Sequence, residues 1–149
     1  MKKFFFDCGT RDLTASFGIL VLRVATGLMM MLGHGIGKIQ DFSKLSGTWH
    51  VPDFFPLKYM TSPISLMATI GAEVVAAGLI IIGLATRPAA FVFAFAMVIA
   101  AFDKNGAGPF AKQELALMYL MAAVVILLTG AGSWSIDASL SKDGKRRRW

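Results

Sequence analysis

Two ionisable residues lie near the middle of long apolar runs, where a charge needs a partner or a purpose. Arg23 is about halfway along 13–33, and Glu73 is about halfway along 63–85. A charge at the centre of a membrane-spanning helix costs about 2.5–3.5 kcal/mol, so opposite charges at similar depth are expected to pair. We therefore predict a buried polar pair of Arg23 and Glu73. The pair either fixes helix register or lines a pocket for a small ligand.

Further polar residues extend this candidate site towards one end of the helices. His34 and Lys38 follow Arg23 at helical spacing and share its face. His34 is either solvated at a helix end or placed to polarise a carbonyl group of a ligand or pass a proton. Asp103 and Glu114 either support helix ends or converge with the other two residues. The predicted outer polar seam is thus His34, Lys38, Glu114 and Asp103, with no catalytic residue assigned.

Metal and thiol chemistry have little support in the sequence. His34 and His50 are not accompanied by a carboxylate or cysteine at a ligand spacing. Cys8 is the single cysteine, which excludes an internal disulfide and a C-x-x-C motif. We expect no metal site and no tightly bound cofactor.

Long apolar runs must form the elements that position these residues. The chain has 149 residues, of which 56% are apolar, against about 45–50% in soluble domains. A helix of about 20 residues crosses the hydrocarbon core of a bilayer. Four runs predict spans at about 13–34, 63–85, 88–103 and 114–132. The predicted fold class is an all-α membrane protein, with a four-transmembrane-helix bundle occupying 13–137.

The distribution of basic residues predicts the orientation. With four spans, the termini share a side that carries nine Lys and Arg residues, against five on the opposite side. The positive-inside rule therefore places both termini in the cytoplasm, as a short N-terminal segment at 1–12 and a basic tail at 138–149. The predicted location is the bacterial cytoplasmic (inner) membrane. Because the net charge of +6 is clustered at the ends of spans, we expect membrane lipids as partners and no nucleic acid.

Two local patterns leave alternatives open. The longest connection, 40–61, is rich in aromatic residues that include Trp49 and Tyr59. It is predicted to be either an interfacial anchor or a lid over a pocket. Gly33 and Gly37 form a G-x-x-x-G pattern, which either allows close helix approach or ends the first helix.

Three segments of the chain resemble the DoxX family of small bacterial membrane proteins. They are LVLRVATGLMMMLGHGIGKI at 20–39, GAEVVAAGLIIIGLATRPAAFVFAFAMVIA at 71–100 and KQELALMYLMAAVVILLTGAGSWSID at 112–137. Trp134 stands where a basic residue is commoner in the family. The resemblance implies a four-helix membrane bundle associated with oxidoreductase systems, since relatives include membrane subunits linked to thiosulfate:quinone oxidation.

From this resemblance we expect an accessory or quinone-interacting subunit of a membrane oxidoreductase system. A quinone is then the candidate ligand, with its headgroup in the polar pocket and its carbonyl group polarised by His34. The partners of the chain would be redox-enzyme subunits, and whether the chain itself is an enzyme or forms a homo-oligomer stays open. The alternative is a non-enzymatic protein that uses the same polar seam. Such a protein would be a small-molecule or lipid binder, a transporter or an assembly scaffold.

Overall fold

The structure is a computed structural model that describes residue 10 and residues 12–141. This part of the chain is helical and contains no β-strand. Each of the four long helices is long and apolar enough to cross a membrane, which confirms the predicted fold class. The long helices are α1 (Leu13–Gln40), α3 (Ser62–Ile82), α4 (Thr86–Lys104) and α5 (Phe110–Thr129). Two short helices, α2 (Phe42–Leu45) and α6 (Ile136–Leu140), follow α1 and α5.

Two helix boundaries differ from the sequence prediction. The first helix does not end near residue 34, because a π-helical turn at Met31–Gly35 carries it through the glycine-rich stretch to Gln40. The last long helix begins at Phe110, directly after Pro109. Glu114 is therefore beyond the first turn of α5, and the prediction that it supports the helix N-terminus is wrong.

The four long helices pack in a ring, in the order α1, α3, α4, α5. Small side chains such as Ala76, Ala90 and Ala123 surround Phe93 in the core. Because small residues let helix backbones approach closely, they are typical of membrane helix interfaces. Large apolar side chains on the outside, including Leu128, are exposed and available to lipid.

Helices α1 and α3 are antiparallel and staggered. Gly27 packs against Ala77 and Ile81, and Gly35 packs against Glu73 and Val74. These contacts fix the axial position of α1 relative to α3, and in this position the first turns of α1 project beyond the end of α3. The middles of the two helices are therefore not level.

Gly35 provides the close approach that the G-x-x-x-G pattern had suggested for its neighbours. A Cβ atom at Gly35 would lie 2.5 Å from Val74 Cγ2 and 3.2 Å from the Glu73 carbonyl oxygen. A Cβ atom at Gly33 or Gly37 would meet nothing within 4 Å. The alternative in which Gly33 and Gly37 form the helix contact is wrong.

The segment after α5 folds back along the projecting part of α1. Ser133 N donates to Ser16 Oγ at 3.3 Å, and Asp137 N donates to the Gly83 carbonyl oxygen at 2.9 Å. The Asp137 carboxylate accepts hydrogen bonds from Ala85 N at 2.8 Å and Thr86 N at 2.9 Å. It thus satisfies backbone N–H groups at the start of α4, as a helix cap does.

Little of the two predicted terminal segments falls within the described residues. At 1–12, Asp12 caps α1 by accepting a hydrogen bond from Ala15 N at 2.8 Å. At 138–149, only 138–141 are described, and they belong largely to α6. The basic residues on which the predicted tail depends lie outside the described residues.

Candidate functional site

Arg23 lies in a buried polar cluster at the end of α3. Its side chain is fully buried, and Nη2 donates a hydrogen bond to the Trp134 carbonyl oxygen at 2.7 Å. The guanidinium packs on Gly83, whose positive φ of 70° ends α3 and whose missing side chain leaves room for it. Asp137 supplies the opposite charge that acts on Arg23. The cluster joins α1 to the end of the described chain.

The predicted ion pair between Arg23 and Glu73 is wrong, although both residues are buried as expected. Glu73 is level with Gly35, which is more than three turns from Arg23 along α1, or roughly 18 Å. The prediction placed the middles of two apolar runs at one depth. The stagger between α1 and α3 separates them.

Glu73 instead forms an ion pair with Lys38, one of the predicted seam residues. Lys38 Nζ donates to Glu73 Oε2 and also to the His34 carbonyl oxygen at 3.2 Å. The side chains of Lys38 and Glu73 are only 16% and 9% exposed. Salt and water screen the attraction in a shielded pair less than in a surface pair. The remaining attraction holds the two side chains in one relative orientation.

A cavity of about 340 Å³ surrounds this ion pair, and we call it the bundle cavity. Its volume is within the range of small-molecule sites, about 300–1,000 Å³. Apolar side chains from α3, α4 and α5 form most of its wall. The polar and aromatic residues of its wall include His34, Lys38, Trp49, Glu73, Lys104 and Tyr119.

Three π-helical turns meet at the bundle cavity. Met31–Gly35 contributes His34, Gly71–Ala76 contributes Glu73, and Ile99–Lys104 contributes Lys104. A π turn inserts a residue into an α-helix and is frequently found at functional sites. In three of the four long helices, the local departure from α-helical geometry therefore coincides with the cavity wall.

The 40–61 connection covers one side of the bundle cavity. Trp49 Nε1 donates to Thr69 Oγ1 at 3.3 Å, and Ser65 Oγ donates to the His50 carbonyl oxygen at 2.6 Å. The His50 ring contacts the Asp103 carboxylate through Nε2. The connection is thereby tied to both α3 and α4, with the Trp49 indole in the cavity wall.

Other aromatic residues of the same connection point away from the cavity. Phe55 and Tyr59 are 76% and 73% exposed, and their rings meet edge to face at 6.3 Å. The two alternatives for this connection thus apply to different residues: Trp49 and His50 cover the cavity, while the exposed pair has the position expected of an interfacial anchor.

The four predicted seam residues occupy three kinds of position. His34 and Lys38 line the bundle cavity. Asp103 lies behind the cavity wall, where its carboxylate contacts His50. Glu114 is exposed on α5 and does not line the cavity, so the prediction that it converges with His34 and Lys38 is wrong. The cavity face of α5 is formed by Lys112, Leu115, Ala116 and Tyr119, and Glu114 lies outside this face.

Several residues of the two clusters were not singled out by the sequence pattern. Lys104 Nζ lies 3.9 Å from the centroid of the Trp49 ring, and Tyr119 meets the His34 ring edge to face at 6.0 Å. Asp137 is buried beside Arg23. Each of these contacts joins residues far apart in sequence, so local spacing carries no signal for them.

Within residue 10 and 12–141, no three His, Cys, Asp or Glu side chains are grouped closely enough to hold a metal ion. The polar groups of the bundle cavity are instead hydrogen-bond donors and one ion pair. They suit an organic ligand with acceptor oxygens.

A family model, DoxX, matches residues 18–106 of the chain. The chain belongs to the DoxX family. The DoxX match covers most of α1 and all of α3 and α4, and therefore Arg23, Lys38, Glu73 and Lys104, whereas α5 and the segment after it lie outside the match.

Two curated proteins are similar to this chain over most of their own lengths. A Haemophilus influenzae protein named "Uncharacterized protein" is 33% identical over 130 residues, covering 81% of this chain and 89% of its own length. A Bacillus subtilis protein named "Putative oxidoreductase CatD" is 27% identical over 132 residues, covering 86% of this chain and 90% of its own length. No solved structure matches the chain. Family membership and the four long apolar helices make it a multi-pass DoxX membrane protein.

Proposed function

We propose that this chain binds a quinone headgroup, or a chemically similar small molecule, in the bundle cavity. In this proposal it is an accessory subunit of a membrane oxidoreductase system without a tightly bound cofactor of its own. The observation that carries the proposal is the placement of Lys38, Glu73 and His34 in the wall of a largely apolar cavity. The oxidoreductase context draws support from the name of the Bacillus subtilis relative.

The chemistry of a quinone matches these groups. A quinone ring is planar and apolar, and its two carbonyl oxygens accept hydrogen bonds. Lys38 carries donor N–H groups, and a ring nitrogen of His34 can also donate. Glu73 balances the charge of Lys38 in the absence of ligand and can accept a proton when a reduced ring releases one. The aromatic rings of Trp49 and Tyr119 provide surfaces for the quinone ring.

The cellular setting is part of the same proposal. The protein resides in the bacterial cytoplasmic membrane with both termini in the cytoplasm, and it contacts membrane lipids and the subunits of a redox enzyme. That copies of this chain assemble into a homo-oligomer is a further prediction. In this orientation the bundle cavity faces the outer side of the membrane.

The test uses Trp49 as a reporter of the bundle cavity. In a variant that carries Trp134→Phe and Trp149→Phe, Trp49 is the one tryptophan left. We expect decylubiquinone to quench its fluorescence saturably in neutral detergent. Glu73→Gln leaves Lys38 without a counter-charge and should weaken binding at least tenfold, equivalent to about 1.4 kcal/mol.

Asp41→Asn is the matched control. Asp41 also pairs with a lysine, since it accepts a hydrogen bond from Lys44 at 2.7 Å and thereby raises the pKa of Lys44. That pair is exposed and does not line the cavity, so Asp41→Asn should leave quinone affinity unchanged. Absence of saturable quenching, or equal losses in Glu73→Gln and Asp41→Asn, would contradict the proposed function.

A further inference from the structure

The ionisable side chains of the bundle cavity do not balance in charge. Lys38 is neutralised by Glu73, and His50 is in contact with Asp103. Lys104 and Lys112 also line the cavity. Among the described residues, no carboxylate lies within ion-pair distance of either.

Lys104 is held by an aromatic ring in place of a carboxylate. Its Nζ lies 3.9 Å from the centroid of Trp49, and the Nζ of Lys38 lies 5.6 Å from the same centroid. A cation–π contact stabilises an ammonium group without cancelling its charge. Two ammonium groups thus share one indole, while Glu73 is the carboxylate that acts on both.

The excess positive charge lies where the cavity reaches the surface. Lys104 is the last residue of α4, and Lys112 lies in the first turn of α5. Both side chains are exposed. Val92, Phe95 and Leu115 belong to the apolar part of the wall. One end of the bundle cavity therefore carries excess positive charge, whereas much of the remaining wall is apolar.

We propose that the bundle cavity selects a monoanionic amphiphile, with its carboxylate or phenolate at Lys104 and Lys112 and its apolar body between α4 and α5. This inference rests on the proposed function only for the location of the ligand. It adds that the ligand is an anion, a property that a neutral quinone does not have. The anion has two possible sources: a diffusible aromatic acid or a fatty acid of the membrane.

The experiment compares acids with uncharged partners of the same shape. Trp49 fluorescence is titrated with 4-butylbenzoate and 4-butylbenzyl alcohol, and with decanoate and decanol, in uncharged detergent at neutral pH. We expect at least one acid to bind ten times more tightly than its alcohol. Because screening by salt weakens charge–charge attraction, added salt should reduce this preference. Tighter binding of the benzoate would indicate the aromatic source, and tighter binding of decanoate the lipid source.

Lys104→Gln should abolish the preference, so that the acid binds no more tightly than its alcohol, and circular dichroism checks that the variant is folded. Lys112→Gln should reduce the preference in the same direction. Lys58→Gln is the matched control, because Lys58 Nζ lies 5.2 Å from the Tyr59 ring centroid but does not line the cavity. Equal affinities for acid and alcohol in both pairs, or an equal effect of Lys58→Gln and Lys104→Gln, would overturn the inference.

The two proposals fail separately. If decylubiquinone binds in a Glu73-dependent way but neither acid is preferred, the anion inference is wrong and the quinone proposal stands. If an acid is preferred through Lys104 while decylubiquinone does not bind, the quinone proposal is wrong and the anion inference stands.

Discussion

Arg23 depends on groups that belong to the end of the chain. Its Nη2 has one hydrogen bond, to the Trp134 carbonyl oxygen, while Nε and Nη1 have no hydrogen-bond partner among the described residues. Burying a guanidinium is costly unless an opposite charge is near. Asp137 provides that charge, and its carboxylate is itself held by Ala85 N and Thr86 N. The stability of the bundle should therefore depend on Arg23 and Asp137 together.

A double-mutant cycle tests this coupling. We expect Arg23→Met and Asp137→Asn each to lower the free energy of unfolding by about 1–3 kcal/mol, since the first leaves the Trp134 carbonyl oxygen without its donor and the second weakens the acceptor of Ala85 N and Thr86 N. The loss in the double variant should be smaller than the sum of the single losses by at least about 1 kcal/mol. The measurement is reversible unfolding in mixed micelles, followed by circular dichroism.

The second cycle, Arg23→Met with Glu73→Gln, is the control. Because Arg23 and Glu73 are roughly 18 Å apart along α1, their effects should add within about 0.5 kcal/mol. Strong coupling in this cycle, and none between Arg23 and Asp137, would show that the assignment of partners is wrong.

The sequence identified the charged residues but not their partners. Helical spacing correctly grouped His34 with Lys38, because residues on one face of a helix are determined by local geometry. It could not identify Asp137 as the charge near Arg23, since that contact depends on how a segment more than a hundred residues away folds back.

At the scale of elements, the close contact between α1 and α3 fixes where Glu73 lies. Gly35 belongs to one π-helical turn and packs on the backbone of another, at Glu73. The lengths of the apolar runs predicted the long helices, because run length and hydrophobicity are local properties. The π turns and the stagger arise from packing between helices, so the sequence pattern did not predict them.

Gly35→Ala and Gly33→Ala form a matched pair. At Gly35 the added methyl group would collide with Val74 and crowd the Glu73 carbonyl, so we expect a loss of about 1–3 kcal/mol in the free energy of unfolding. Quinone affinity should also fall, because Glu73 must shift. At Gly33 the methyl group meets nothing within 4 Å, and alanine should be neutral or stabilising by about 0.5–1 kcal/mol.

Thermal unfolding and Trp49 titration measure the two effects on the same samples. Similar stability and similar affinity in both variants would mean that the α1–α3 contact at Gly35 does not position the ion pair.

For the molecule as a whole, the two polar clusters lie at opposite ends of the bundle. The bundle cavity is at the end where α1 finishes and α5 begins, whereas the Arg23–Asp137 cluster is at the end where α3 finishes and α4 begins. The cavity therefore faces away from the start of α1 and from α6. The positive-inside rule then predicts that it faces the outer side of the membrane.

Cysteine labelling in intact cells tests this orientation. In a Cys8→Ser background, Lys58→Cys should react with a membrane-impermeant maleimide, because Lys58 is exposed at the cavity end. Ser141→Cys, on the opposite end, should react only after the cells are opened. The reverse pattern would place the cavity in the cytoplasm and contradict the charge-based prediction.

The way Arg23 is satisfied has a consequence for how the chain is made. Arg23 belongs to the first long helix to leave the ribosome, yet its hydrogen-bond acceptor, Trp134, is 111 positions later. Until residues 134–137 have been made and have folded back, the nascent bundle carries a guanidinium without its final partners. A chain truncated after α5 would keep this defect permanently. Insertion of the four long helices therefore does not by itself complete the bundle, and membrane quality control is expected to recognise chains in which Arg23 still lacks these partners.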